Sequence, residues 1–290
     1  MRRNLAADVG REIAKNLLMA LPPVHAWRVR RARTIQGLQS DDGFLERHAF
    51  QAIRHLLAQL RSVKGLHIAE IGPGDALTSG LALLAAGAQS YTAIDRFPGP
   101  YGSDDAKRGY LALEAAWPNV FPELPWPSYL EARRFPGAYT DQVQTISRPI
   151  ERVESPRRFD VVCSYQVAEH VSDVGVFAET TARLLAPGGM ATHRVDFGPH
   201  DCWVQYRDPL TFLRFPDWLW HLMGSNRGTP NRKRHHAFLE AFAAAGLTCE
   251  TRNLEYFAAE QVDVGRLAAG FRSMPRESIL VKTAVYSCHL

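Results

Sequence analysis

Leu66-His67-Ile68-Ala69-Glu70-Ile71-Gly72-Pro73-Gly74 is the stretch that decides the fold. Its first six residues are mostly apolar and read as a short buried strand, which Gly72-Pro73-Gly74 ends in a tight turn. Residues 76–86 are rich in Leu and Ala and predict a helix. Ser90-Tyr91-Thr92-Ala93-Ile94-Asp95 predicts a second strand. Strand, turn, helix and strand within about 30 residues make a βαβ unit, which is almost always right-handed and parallel.

The pattern continues outward. Strands are expected near 144–147, 159–163, 190–195, 247–254 and 279–286, and helices near 173–186 and 235–245, with Pro187-Gly188-Gly189 as a sharp stop. Alternating strands and helices predict an α/β fold, a mostly parallel sheet with helices on both faces. Upstream, residues 4–20 suit an amphipathic helix ended by Pro22-Pro23, and Asp41-Asp42-Gly43 opens a second helix over 44–61. The expected division is an N-terminal helical extension over 1–62 and an α/β domain over 63–290. Two aromatic-rich insertions interrupt that domain, at about 97–143 and 197–234. The first carries one helix near 104–116, and its aromatics are expected to cover a ligand. In the second, Trp203, Tyr206, Phe212, Phe215, Trp218 and Trp220 read either as core or as a water-excluding lid.

Composition excludes several classes. With 290 residues, 46% hydrophobic and 22% charged, the chain can bury a substantial core. No apolar run reaches the ~20 residues a membrane span needs. Met1-Arg2-Arg3 mimics a secretory signal, but Asp8, Arg11, Glu12 and Lys15 interrupt the apolar stretch that would follow, so no signal is expected. The four cysteines, Cys163, Cys202, Cys249 and Cys288, show no metal-ligand spacing and are expected as reduced thiols in a cytoplasmic protein. The net charge is +4, yet residues 1–35 hold eight Arg and Lys against two acids, leaving the rest slightly acidic. Nucleic acid is therefore not expected as a partner. The basic N-terminus is a solvated leader or a surface for acidic lipid or an acidic partner.

The turn selects its ligand. A dinucleotide fingerprint needs another glycine at position 77, which is Leu, and no phosphate-binding Gly-Lys-Ser/Thr follows. Glu70 would repel a pyrophosphate but suits a cationic ligand. Asp95 ends the second strand, where a carboxylate can take both ribose hydroxyls. An acid at each strand end, with no phosphate cradle, fits a ligand with a ribose, an adenine and a positively charged amino-acid end. S-adenosyl-L-methionine has all three.

Four motifs then resemble a known family. Ala69-Glu70-Ile71-Gly72-Pro73-Gly74 resembles motif I of class I S-adenosylmethionine-dependent methyltransferases. Ala93-Ile94-Asp95 resembles their second-strand acid. Phe159-Asp160-Val161-Val162-Cys163-Ser164 with Glu169-His170-Val171, and Leu184 to Gly189, resemble their fourth-strand and Pro-Gly-Gly signatures. The resemblance covers residues 65–195 and implies a Rossmann-like seven-stranded sheet with one antiparallel strand near the C-terminus. It implies cofactor binding by Glu70, Gly72, Gly74, Asp95, Arg96, Ile150, Glu151, Ser164 and Tyr165. The third glycine of motif I is replaced by Ala76, a residue still small enough for close packing.

Methyl transfer to a hydroxyl calls for proximity and a base, and His is the natural base near neutral pH. His170 and His200 are the catalytic candidates, His200 with Asp201 beside it. The plainer reading of His170 is a helix cap, and that of His193 is packing within its strand. A metal set of His193, Asp196 and His200 matches no template, so no metal is expected. Asn231-Arg232-Lys233-Arg234-His235-His236 reads as a solvated face or as a contact to an acidic substrate. The second half, at His193-Arg194-Val195-Asp196, His200-Asp201 and Leu213-Arg214-Phe215, resembles methyltransferases of sugar, polysaccharide and natural-product pathways, and this resemblance implies O-methylation of a small molecule, sugar or glycan precursor. The alternatives are a cofactor- or partner-binding protein without turnover, and a nicotinamide oxidoreductase, which Leu77 and Glu70 disfavour.

Overall fold

The computed structural model describes residues 4–24, 27, 45, 49–155 and 157–290. The expected helix start at residues 41–44 and the cationic residues 2, 3, 28, 30, 31 and 33 lie outside the described residues. Strand β1 (His67–Ile71) is buried beyond its first residue, as a central parallel strand should be. It pairs in parallel with β2 (Ser90–Ile94) on one side and with β4 (Phe159–Tyr165) on the other, and β2 pairs in parallel with β3 (Val143–Ile146). With β5 (Leu185–Asp196), β6 (Thr248–Tyr256) and β7 (Val281–His289), the sheet has seven strands in the order β3-β2-β1-β4-β5-β7-β6.

Strand directions follow from the hydrogen bonds at the strand ends. Phe197, just past β5, donates to the carbonyl of Lys282 at 2.8 Å, and Phe257, just past β6, donates to that of Leu280 at 2.8 Å. Both ends meet the start of β7, so β7 runs antiparallel to its neighbours. The expected mixed seven-stranded sheet is therefore present. The order leaves β1 in opposite directions, through β2 and β3 and through β4 and β5. Right-handed crossovers then place helices α3 (Thr78–Ala85) and α4 (Asp104–Val120) on one face and α5 (Val174–Leu184) on the other. Strand β5 begins at Leu185, so the Pro-Gly-Gly turn lies inside it. A Cβ on Gly189 would stand 2.9 Å from the carbonyl oxygen of Ala186 and 3.0 Å from those of Phe159 and Asp160. Only glycine allows so close an approach.

The described residues form two compact units that interleave along the chain. One comprises 31–165, 176–192 and 288–290, and the other 1–30, 166–175 and 193–287. The first unit contains β1 to β4. Its core includes Tyr91, Tyr110, Trp117, Phe135 and Phe50 of the turn before α2 (Gln51–Leu60). This corrects the expectation for part of the first insertion. Trp117, Tyr110 and Phe135 are fully buried core residues rather than a cover, and the Trp117 indole donates to the Leu124 carbonyl at 2.6 Å.

The second unit contains β6, most of β7 and helix α1 (Leu5–Met19). Its core is Trp203, Phe212, Phe215 and Trp220, with Leu5, Val9 and Ile13 of α1 packed against it. Five of the six aromatics of the second insertion are thus core or packed on it, while Trp218 is 68% exposed. Asp8, Glu12 and Asn16 of α1 are buried with partners in the same unit. Tyr206 donates to Asp8 at 2.7 Å, Asn16 donates to the Leu222 carbonyl at 2.9 Å, and Arg227 pairs with Glu12. Cys249 and Cys288, on β6 and β7, are disulfide-bonded, while Cys163 and Cys202 are free. The expectation of four reduced thiols is corrected accordingly.

Candidate functional site

In open α/β sheets ligands bind at the carboxyl ends of the strands where the order switches direction, here between β1 and β4. Gly72 continues the pairing by donating to the Ile94 carbonyl at 2.8 Å. Gly72 and Gly74 then take φ of 71° and 81°, a left-handed backbone that favours glycine, and nothing lies within 4 Å of where a Gly74 side chain would begin. Leu77 occupies the cap position of α3, and its N–H is satisfied by the Tyr110 hydroxyl at 3.1 Å.

Two carboxylates flank the turn. Glu70 sits opposite Ala93 in the β1–β2 register and is 4% exposed. Its Oε2 accepts hydrogen bonds from the hydroxyls of Ser79 and Tyr91. Burial pushes its pKa up, opposed by those two donors and reinforced by the charge of Asp95. Asp95 follows β2, and its Oδ1 accepts from the Phe97 N–H at 2.7 Å. Burial raises its pKa too, against the N–H groups of Phe97 and Gly74 and with the help of Asp75. Tyr101 faces the same charges: burial, then Asp95 and Glu70, raise its hydroxyl pKa. It is a site residue that the sequence showed only as one aromatic among several.

The other cofactor candidates spread around these two. Arg96 is exposed, its guanidinium 5.1 Å from the Phe97 ring centroid. Ile150 and Glu151 begin a short 3-10 turn, Ile150 buried and Glu151 exposed. Ser164 is buried opposite Ile71 at the end of β4, and Tyr165 stands edge-on to His55. The donor set is therefore acidic and hydroxylic, with a glycine turn open above Gly74. It fits a ribose with a cationic tail and does not fit a pyrophosphate.

The second unit holds a separate cluster. One carboxylate oxygen of Glu169 and one ring nitrogen each of His170 and His200 all lie within 4.8 Å of one another. Glu169 is 3% exposed, and its carboxylate oxygens have no side-chain hydrogen-bond partner; the backbone N–H groups of Glu169 and Asp196 act on them and oppose the effect of burial. Burial pushes its pKa up to about 8, with Asp196 adding to the shift and His200 opposing it. The Nδ1 of His170 lies 2.8 Å from the Gly228 carbonyl. Burial and His200 lower its pKa. His200 pairs with Asp196 at 3.8 Å, which raises the His200 pKa. Asp201, its expected partner, pairs instead with Arg227 at 3.1 Å.

His193 stands apart from this cluster. It is fully buried, stacked on Phe242 at 5.7 Å, and burial lowers its pKa to about 3. The set His193, Asp196 and His200 therefore does not form, and Glu169 and His170 take its place beside His200. Asn231 holds the turn that carries Glu169: its N–H donates to the Glu169 carbonyl at 2.7 Å and its amide to the carbonyls of Ala168 and Val171 at 2.9 and 3.1 Å. Gln166, Asp201 and Arg232 have φ of 57°, 53° and 61°, so left-handed non-glycine residues stand near Glu169, His200 and Asn231. Such conformations persist only where the surroundings impose them.

In the basic run 231–236, Lys233 is exposed but the two arginines are not solvated. Arg232 and Arg234 are buried, and Arg234 donates to the carbonyls of Phe197, Ile279 and Val281 at 2.8, 2.7 and 2.6 Å. Arg232 donates to the Phe215 carbonyl at 2.7 Å and pairs with Asp217.

The strand order and the glycine turn between two acids define a Rossmann-like methyltransferase fold. The description "Methyltransferase domain" matches residues 45–252, and the chain belongs to that family. The donor set at the turn fits S-adenosylmethionine as a cofactor. The chain is 44% identical over 41 residues to a ubiquinone biosynthesis O-methyltransferase of Nitrobacter winogradskyi, covering 14% of this chain and 16% of that protein. A Caulobacter protein of the same name is 59% identical over 32 residues, covering 11% and 13%. The chain thus matches only about a sixth of the length of these curated relatives. A methyltransferase from Mesorhizobium loti is similar in structure, with a TM-score of 0.43 and 16% identity over 82% of this chain and 96% of that one. Phosphoethanolamine N-methyltransferase 2 of Haemonchus contortus gives 0.46 and 15%, over 82% and 52%.

Proposed function

We propose that this chain methylates an oxygen of a small-molecule acceptor, of the sugar or glycan-precursor kind, in the cytoplasm. The observation that carries the cofactor half is the pair of acids at the ends of β1 and β2 around the Gly72–Gly74 turn. Gly72 and Gly74 let the cofactor approach the backbone. Glu70 attracts its cationic end through the oxygen not taken by Ser79 and Tyr91, and Asp95 accepts from the ribose hydroxyls. Arg96, Ile150, Glu151, Ser164 and Tyr165 complete the cofactor wall, with Tyr101 added from the structure. When bound, S-adenosylmethionine supplies an electrophilic methyl group on a leaving group that needs no assistance.

The chain's own residues then position the acceptor, exclude water and accept a proton. Glu169, His170 and His200 handle the acceptor hydroxyl. The local likeness to O-methyltransferases supports an oxygen acceptor. Residues 1–62 form an extension to the catalytic domain at 63–290, and its basic part contacts acidic lipid or an acidic partner. Exposed Leu17, Leu18 and Leu21 near the end of α1 support such a contact.

Transfer of labelled methyl from S-adenosylmethionine to a pool of hydroxylated metabolites and sugar nucleotides tests this proposal. Glu169→Gln and His200→Ala should each lower kcat by about 100-fold or more with cofactor affinity unchanged. Variants as fast as the parent would remove the cluster from the reaction. Cofactor binding with no methylated product would favour a binding protein without turnover.

A further inference from the structure

The cluster in the second unit offers more than proton handling. Glu169 is buried, and its carboxylate oxygens have no side-chain hydrogen-bond partner, only the backbone N–H groups of Glu169 itself and Asp196 nearby. A buried carboxylate in that state is costly unless a cation compensates it. Its oxygen faces the two imidazoles within 4.8 Å. Metal–ligand distances near 2.1 Å put ligand atoms roughly 3–3.5 Å apart, so side-chain rotations closing about 1.5 Å would complete a coordination sphere.

The surroundings fit metal ligands as well. The Gly228 carbonyl, 2.8 Å from Nδ1 of His170, can only accept, so Nδ1 carries the proton and Nε2 keeps its lone pair. A ligating histidine typically has this tautomer lock on its other nitrogen. Asn231 fixes the backbone at 168–171 through three hydrogen bonds, so Glu169 and His170 are held by the same loop that locks the tautomer. Asp196, 3.8 Å from His200, adds a second negative charge beside the set.

We propose that Glu169, His170 and His200 bind one divalent transition cation of the Zn²⁺ or Mn²⁺ type. Two imidazoles with one carboxylate favour these over Mg²⁺ and Ca²⁺, which prefer oxygen ligands throughout. Three protein ligands leave positions open for an acceptor oxygen. A hydroxyl bound there loses its proton to solvent more readily, leaving an oxygen lone pair for the methyl group. This deepens the acceptor-handling role given to the cluster above and rests on it.

The full chain, stripped with EDTA and desalted, is titrated separately with Zn²⁺, Mn²⁺ and Mg²⁺ by calorimetry, and the bound metal is counted by mass spectrometry. The expected result is one equivalent of Zn²⁺ or Mn²⁺ per chain, with Mg²⁺ at least about 100-fold weaker. Glu169→Gln and His200→Ala should each weaken binding by about 100-fold or more. S-adenosylmethionine affinity, measured on the same samples, should not change, which shows that the variants are folded. No saturable Zn²⁺ or Mn²⁺ binding below about 1 mM, or binding that survives both substitutions, overturns the site. Intact cofactor binding in that case leaves the methyltransferase function standing, whereas loss of cofactor binding in the parent chain counts against the function itself.

Discussion

Arg234→Met should destabilise the protein by about 3–5 kcal/mol, a large loss for one surface-like residue in a basic run. The guanidinium is 1% exposed and 5.1 Å from the Phe197 ring centroid. It satisfies three backbone carbonyls, those of Phe197 after β5 and of Ile279 and Val281 at the start of β7. Methionine keeps the aliphatic stem and leaves those acceptors dry. Each orphaned carbonyl costs about 1–3 kcal/mol, and relief of the buried charge, whose pKa burial has lowered to about 9, returns part of the sum. Arg234→Lys keeps the charge but loses the planar fork, and it should recover about half of the loss. Urea denaturation followed by circular dichroism gives the difference directly. A loss below about 1 kcal/mol for Met, with an unchanged m-value, would refute the view that Arg234 pins these strand ends. Phe197 adjoins Asp196 and lies three residues before His200, so the Met variant should also loosen the cluster.

Three further outcomes follow from the packing. Gly189→Ala places a methyl against three carbonyl oxygens and should cost about 1–3 kcal/mol, measured by thermal unfolding. Glu12→Gln should remove a pH-dependent part of stability. Burial alone would raise the Glu12 pKa, but Lys15 and Arg227 outweigh it and hold it below 4.5, so its contribution is present above that pH and lost as pH falls. The stability gap between parent and variant should shrink from about pH 6 to about pH 3; a constant gap would show that the Glu12 charge plays no part. Trp117→Phe keeps most of the core contact but drops the indole bond to Leu124, and should cost about 1–2 kcal/mol by urea denaturation.

The features legible in the sequence are those with a local cause. Strand β1 and its turn could be read because apolar residues stop at two glycines, and glycine is what a left-handed backbone needs. Helix α1, expected over 4–20, spans 5–19 because Asn4 is a good cap: its side chain accepts from Ala6 and Ala7. Features set by distant partners were not legible. The first insertion's tryptophan and tyrosine look the same as a lid or as a core until Trp117 meets Trp126 at 5.6 Å. Arg232 and Arg234 look solvated until backbone carbonyls surround them. His200 could be paired with its neighbour Asp201 on paper, but the backbone after β5 turns it toward Asp196 and toward Glu169, 31 positions earlier. Nothing in either local sequence signals that meeting.

Calorimetric titration of the chain with S-adenosylmethionine, S-adenosylhomocysteine and NAD, repeated on Asp95→Ala, tests the central claim most directly. Binding of both sulfur ligands at one site is expected, with affinity falling by about 10- to 100-fold in the variant as the ribose hydroxyls lose their acceptor. Binding of NAD without S-adenosylmethionine, or an affinity that Asp95→Ala leaves unchanged, would contradict it.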